Sequence, residues 1–135
     1  MDCIFCKIVE KKIPARIISE SDKSLAFLDA FPVTSGHTLV VPKKHHDKIQ
    51  QMSPDENADL FKLVQQVTAK IDKLTNADLI AIHNGKESGQ EVPHVHVHII
   101  PRSASGGVGA VHSMFRNRPK LSEKEFDDIL NKIKD

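Results

Sequence analysis

Apolar and polar positions alternate with two different periods along the chain. From Leu60 the apolar residues recur at Val64, Val67, Ile71 and Leu74, with Phe61 and Leu63 beside them. Steps of three and four predict an amphipathic helix with one broad buried stripe. Its start is written in Ser53-Pro54-Asp55-Glu56: Ser53 as N-cap, Pro54 where no amide donor is missed, and Glu56 completing a capping box. Thr75-Asn76 ends it. A shorter helix is expected after Ser122, which pairs with Glu125 as a second capping box ahead of Phe126, Ile129, Leu130 and Ile133; its apolar face is expected to dock on its own domain or on a second subunit. Lys7 to Lys12 carry a short helix that Pro14 ends.

Elsewhere the period drops to two. Arg16–Ser19 and Ser24–Leu28 read as strands joined by the polar turn Glu20-Ser21-Asp22-Lys23, His37–Val41 as the next strand after a Pro32–Gly36 loop, and Asp78–Ile82 as the fourth. The clearest alternation is His94-Val95-His96-Val97-His98-Ile99-Ile100, set between Pro93 and Pro101. A strand here turns aliphatic residues to one face and a row of imidazoles to the other, neighbours roughly 6.5 to 7 Å apart. The fold class that follows is α+β, a mainly antiparallel sheet of about five strands covered by the long helix.

Composition narrows the partners. A net charge of +1 leaves no basic footprint for nucleic acid. No apolar run approaches the roughly 20 residues that span a bilayer, and Met1-Asp2-Cys3 lacks the basic and apolar regions of a signal peptide, so a cytoplasmic location is expected. Two cysteines three apart are no disulfide framework; they suit reduced thiols available to a metal. The Gly/Ser-rich stretch Ser103–Gly109 divides an expected domain over residues 3–108 from an extension over 109–135, and reads as a boundary or a lid. His112 and Phe115 in the extension could reach a site but match no motif.

The histidine row is the candidate chemistry. Neutral imidazole attacks phosphorus to give a phosphoramidate that water reopens. His96 is best placed for this, because a neighbour on either side lets one ring nitrogen be oriented while the other faces a ligand. The preceding loop, His83 to Pro93, has Gly85 and Gly89 around Lys86-Glu87-Ser88, a pattern that brings main-chain amides close to an anion, although a plain hairpin loop has the same composition. Cys3 and Cys6 have the spacing of half a tetrahedral site, or of two ordinary thiols. Asp29, at a strand end, reads as a turn cap or as a ribose acceptor.

These segments share a resemblance. The string from Ile82 to Arg102, IHNGKESGQEVPHVHVHIIPR, resembles the nucleotide-binding signature of the histidine-triad (HIT) superfamily, an H-x-H-x-H of hydrophobic x preceded by a Gly-Gln turn. Cys3-Ile-Phe-Cys6-Lys-Ile, Leu25 to Asp29 and Gly36 to His45 fall where the Hint-like and bacterial branches carry similar segments. The resemblance implies a HIT-like fold with short N- and C-terminal helices, a homodimer, and a purine nucleotide attacked at its α-phosphate, the substrate being AMP-X such as a phosphoramidate or a dinucleoside polyphosphate. It implies a nucleotidyl intermediate on His96, contact of His98 with the phosphoryl oxygens or leaving group, and support from His37. Asp29 would take the ribose, and His83, Gly89, Gln90 and Glu91 would hold the phosphate together with His96 and His98. Cys3, Cys6, His45 and His94 would bind a structural zinc that the chemistry itself does not need, leaving His46 at the surface. The chain departs from the family at His83, where relatives have Asn or Gln, and at Glu91, where Hint-like members have a hydroxyl.

Two other functions fit the same residues. His94, His96 and His98 could share one catalytic zinc, although period-two spacing spreads them too far for one tetrahedral centre. The chain could also be a nucleotide-binding interaction module with a structural zinc. Turnover by a His96→Gly protein separates these from the nucleophile.

Overall fold

The computed structural model describes residues 2–102 and 120–134, which fall in two compact units, Met1–Ala104 and Ser105–Asp135. The Ser103–Gly109 stretch, the expected boundary after residue 108, His112 and Phe115 lie outside the described residues.

The first unit is a five-stranded antiparallel sheet with strands β1 (Ile17–Glu20), β2 (Ser24–Leu28), β3 (Thr38–Pro42), β4 (Asp78–Ile82) and β5 (Val97–Pro101) in the order β1-β2-β3-β5-β4. Helix α1 (Ile4–Val9) opens the chain, and α2 (Pro54–Ile71) connects β3 to β4. Ser53 Oγ accepts the Glu56 amide and Glu56 Oε1 accepts the Ser53 amide, the reciprocal cap the sequence predicts. Asp78–Ile82 forms a strand over the residues expected; β1 and β3 start one residue later than expected, which leaves His37 in the approach to β3.

Alternation sends the two sides of β2 and β3 into different cores. Ala26, Val40, Val95, Val97 and Ile99 pack with Leu60, Leu63, Val64, Val67 and Ile71 of α2. Leu25, Phe27, Leu39 and Val41 pack with Cys3, Phe5 and Ile8 of the α1 segment. Burying an aliphatic side chain of this size stabilises by about 1.5–3 kcal/mol, so truncating Leu63 to Ala costs about 2–5 kcal/mol. Helix α2 covers one face of the sheet, and α1 lies over part of the other, the face that carries the histidine row.

Several elements differ from the sequence pattern. α1 ends at Val9 rather than at Pro14, because Lys11 adopts a left-handed φ of 64° and the Lys12 and Ile13 amides turn back to the Lys7 carbonyl. α2 stops at Ile71; Leu74 is 65% exposed in the following turn, and Phe61 is 39% exposed, so neither joins the buried stripe. The β5 ladder begins only at Val97. His94 donates its amide to Val92 and Val95 donates to the His46 carbonyl, so a single backbone bond to the chain leaving β3 stands here in place of a ladder with β4. His46 is not a surface residue: Nε2 lies 2.8 Å from Glu56 Oε2, and the side chain is 11% exposed.

In the second unit α3 (Glu123–Ile133) is capped by Ser122, whose Oγ accepts the Glu125 amide, and Phe126, Ile129 and Leu130 are exposed. Among the described residues no helix is long and apolar enough to cross a membrane.

Candidate active site and metal centre

His94, His96 and His98 all face the α1 side, yet they do not converge. Each ring is fixed by a different partner. His94 Nε2 lies 2.8 Å from the Pro42 carbonyl and His96 Nδ1 lies 2.7 Å from the His94 carbonyl. A carbonyl can only accept, so both nitrogens carry hydrogen, and each ring's other nitrogen is a bare lone pair. For His94 the bare atom is Nδ1, and for His96 it is Nε2.

His94 Nδ1 points at Cys3 Sγ (3.5 Å), Cys6 Sγ (3.6 Å) and His45 Nδ1 (3.2 Å), and Cys6 Sγ lies 3.3 Å from His45 Nδ1. His45 donates Nε2–H to Asp47 (2.9 Å), so its Nδ1 is bare too. Two lone pairs facing each other at 3.2 Å beside two thiols are relieved by the thiol hydrogens or by a cation among them. A tetrahedral zinc with bonds of about 2.0 Å to nitrogen and 2.3 Å to sulfur sets nitrogens about 3.3 Å apart and nitrogen and sulfur about 3.5 Å apart. The observed separations fit that ion, and Asp47 supplies the outer carboxylate that orients a ligating histidine. Burial, then Cys3, pushes the Cys6 thiol up to about 11, and a bound cation reverses that preference by stabilising thiolate. Burial holds His94 down to about 4, in the neutral form a metal needs.

The other end is built differently. The Val33 amide donates to His37 Nδ1 (3.0 Å), so His37 carries its hydrogen on Nε2 and gives it to His98 Nδ1 (2.9 Å). His98 then keeps hydrogen on Nε2. Desolvation lowers the pKa of His37 and of His96, and takes that of His98 to about 4 with His96, His37 and His83 adding to it. At neutral pH His96 is an acceptor and His98 a donor, the pair a phosphoryl group needs on its attacked atom and on its oxygen.

Both line a cavity of about 570 Å³ that runs from His83, Gly89 and Glu91 to the apolar side chains of Ile4, Phe5, Ile8, Phe27 and Leu39. Asp29 borders it. Its Oδ1 accepts the Phe31 amide (2.8 Å) as a turn cap, and Oδ2 lies 3.6 Å from His37 Nε2. In the glycine loop, Gly85 (φ 111°) and Gly89 (φ 102°) hold conformations that a side chain strains. The Gln90 side chain is spent on bracing: Oε1 accepts the Gly85 amide and Nε2 donates to the Asp47 carbonyl. His83, one of the departures, donates Nδ1–H to the Ser88 carbonyl (2.7 Å), packs on Gly89, and stands edge-on to His98 at 5.3 Å. The Glu91 and Val92 amides donate to nothing among the described residues, and both residues line the cavity, which leaves main-chain donors for an anion.

The structure thus separates the expected residues into Cys3, Cys6, His45 and His94 at one point, and Asp29, His37, His96 and His98 around the cavity. Ile4 and Phe5, which the sequence pattern treats as spacers between the thiols, are cavity wall. Their only signal is that two large apolar residues fill a C-x-x-C. Phe5 meets His96 edge-on at 5.0 Å and His94 at 5.8 Å.

A family model described as the HIT domain matches residues 10–105. Adenosine 5′-monophosphoramidase of Schizosaccharomyces pombe is 39% identical over 135 residues, covering 99% of this chain and 100% of that protein. Adenylylsulfatase of Arabidopsis thaliana is 33% identical over 135 residues, covering 98% of this chain and 68% of that one. The crystal structure of a Zn-bound histidine triad family protein from Mycobacterium smegmatis superposes with a TM-score of 0.76 at 34% identity, covering 82% of this chain and 81% of that one.

Proposed function

The chain belongs to the HIT domain family, and from that premise we propose that it is a nucleotide hydrolase or transferase that acts at the α-phosphate of a purine nucleotide, AMP-X, through a covalent intermediate on His96. The observation that carries this is the His96–His94 hydrogen bond, which leaves His96 Nε2 bare at a cavity wide enough for a nucleotide. In the first step Nε2 bonds to phosphorus and X departs with the electrons of the P–X bond. The charge that develops on His96 is stabilised by the His94 carbonyl, and His98 Nε2–H donates to a phosphoryl oxygen. In the second step water bonds to phosphorus as the bond from phosphorus to Nε2 breaks, His96 recovers its lone pair, and the proton of the water passes to solvent. The purine lies against Phe5, Ile8 and Phe27, the ribose hydroxyls reach the free oxygen of Asp29, and the Glu91 amide binds phosphate. Glu91's carboxylate does not replace the family's hydroxyl; only its amide serves.

Zinc is the proposed occupant of the Cys3, Cys6, His45 and His94 centre, as a structural ion outside the reaction. We further propose a cytoplasmic homodimer. The open edge of β4 supports it, since Ile80 is 47% exposed on an edge strand that nothing in this unit covers.

Intact-mass spectrometry after mixing the protein with an adenosine phosphoramidate tests the intermediate. An adduct of the mass of AMP on the native protein, absent from His96→Gly, is expected. The same adduct on His96→Gly, or steady turnover by that variant, removes His96 from the role. Nucleotide binding with no turnover by the native protein favours an interaction module instead.

A further inference from the structure

We propose that Phe5 is a positioning residue that couples the metal centre to the nucleotide cavity, so that zinc and nucleotide each tighten the binding of the other. This rests on the zinc and nucleotide assignments made above. α1 has six residues, too few to hold helical structure unaided. Cys3 is its N-cap, yet the Cys3 side chain makes no capping hydrogen bond and turns to His94 instead. The helix is therefore held by what its side chains meet: the thiols at the metal centre, and the buried Phe5 and Ile8 against the sheet.

Phe5 lies between the two thiols in sequence and between the two sites in space. Its ring meets Phe27 at 5.8 Å and 62°, His94 at 5.8 Å and 84°, and His96 at 5.0 Å and 71°, while the same side chain walls the cavity. A second route runs beside it. His94 offers Nδ1 to the metal centre and its own carbonyl to His96 Nδ1–H at 2.7 Å. An ion that fixes the thiols and His94 thus fixes the wall against which a purine stacks and the tautomer of the nucleophile. Without an ion, the His94 and His45 lone pairs oppose each other at 3.2 Å, and α1 keeps its apolar contacts and only weak thiol–imidazole hydrogen bonds. Nucleotide must then order the wall as it binds, and its affinity falls by that amount.

Coupling of this kind is reciprocal, which makes it measurable without catalysis. AMP affinity is measured by calorimetry on zinc-loaded and on chelator-stripped native protein, and zinc affinity by competition with a chromophoric chelator, with and without saturating AMP. We expect zinc to raise AMP affinity by about tenfold and AMP to raise zinc affinity by the same factor. Phe5→Ala is expected to reduce both factors to within about twofold while zinc still binds one per chain, and Phe5→Leu, which keeps an apolar wall, to restore part of the coupling. Binding of the two ligands with independent affinities in the native protein overturns the proposal even if Phe5→Ala does not fold. Full coupling in Phe5→Ala or Phe5→Leu removes the assignment to Phe5. Failure of the protein to bind zinc or AMP at all overturns the earlier assignments and this one with them, a result distinguishable from independent binding.

Discussion

At one end of the histidine row His94 turns Nδ1 toward two thiols and a second bare imidazole nitrogen; at the other, His98 turns Nδ1 toward an imidazole N–H. The two clusters are similarly compact, since Cys3, Cys6, His45 and His94 bring their ligand atoms within 4.8 Å of one another, and so do Asp29, His37 and His98. What differs is the arrangement of hydrogens. Around His98 the hydrogens run in one direction, from the Val33 amide to His37 and from His37 to His98 Nδ1, and the His98 Nε2–H has no acceptor among the described residues. Around His94 two bare imidazole nitrogens meet two thiols, a set that can exchange its S–H hydrogens for a cation. Ring identity alone does not tell a metal ligand from a catalytic group; the partner of the other ring nitrogen does.

The contrast can be broken most severely at the metal end. Cys6→Ser is expected to lose zinc and to melt about 10 °C lower than the native protein, the shift of a folding linkage of about 3 kcal/mol, and a chelator should bring the native protein to the same melting point. An unchanged melting point on chelation would mean that the thiols hold nothing. At the relay end His37→Ala should keep zinc and fold while turnover falls about 10- to 100-fold, because His98 loses the group that sets its tautomer. Equal zinc loss in both variants would erase the distinction between the clusters.

The smallest expected effect is in the pH profile. Desolvation lowers the pKa of His37 and His96, and of His98 to about 4, so these rings stay neutral where an unshifted imidazole would charge. At pH 6 an unshifted ring keeps only about a quarter of its neutral form, whereas turnover should retain more than half of its value at pH 8. Stability follows the same sign. The unfolded chain binds the protons first, so the contribution of His98 is fully present above about pH 6.5 and is lost as pH falls toward 4. Turnover that has fallen to about half of its pH 8 value by pH 6.5 would show a ring of ordinary basicity in the site.

Much of this was legible in the residues, and the exceptions have physical causes. The capping box at Ser53 and Glu56 set the start of α2, and the four strands of simple alternation formed within a residue of their predicted limits. The end of α2 was not legible, because Leu74 continues the apolar period after the backbone has already turned. Nor was the bend at His94–His96. A period-two pattern reports which way side chains face, and that survives when the ladder is exchanged for the single Val95–His46 bond. His46 looked like a surface residue beside His45 because its partner, Glu56, sits on another element and already serves the helix cap. The clustering of Cys3 and Cys6 with His45 and His94 came from a resemblance rather than from spacing. Phe5 was invisible because nothing in a C-x-x-C says that its interior residues face a cavity.

The account depends most on which nitrogen of His96 is bare. Nitrogen-15 chemical shifts of the imidazoles in the zinc-loaded protein at neutral pH report this directly. We expect His96 with its hydrogen on Nδ1 and His98 with its hydrogen on Nε2, both neutral. A His96 ring protonated on Nε2, or on both nitrogens, would leave no lone pair for phosphorus and would contradict the assignment of His96 as the nucleophile.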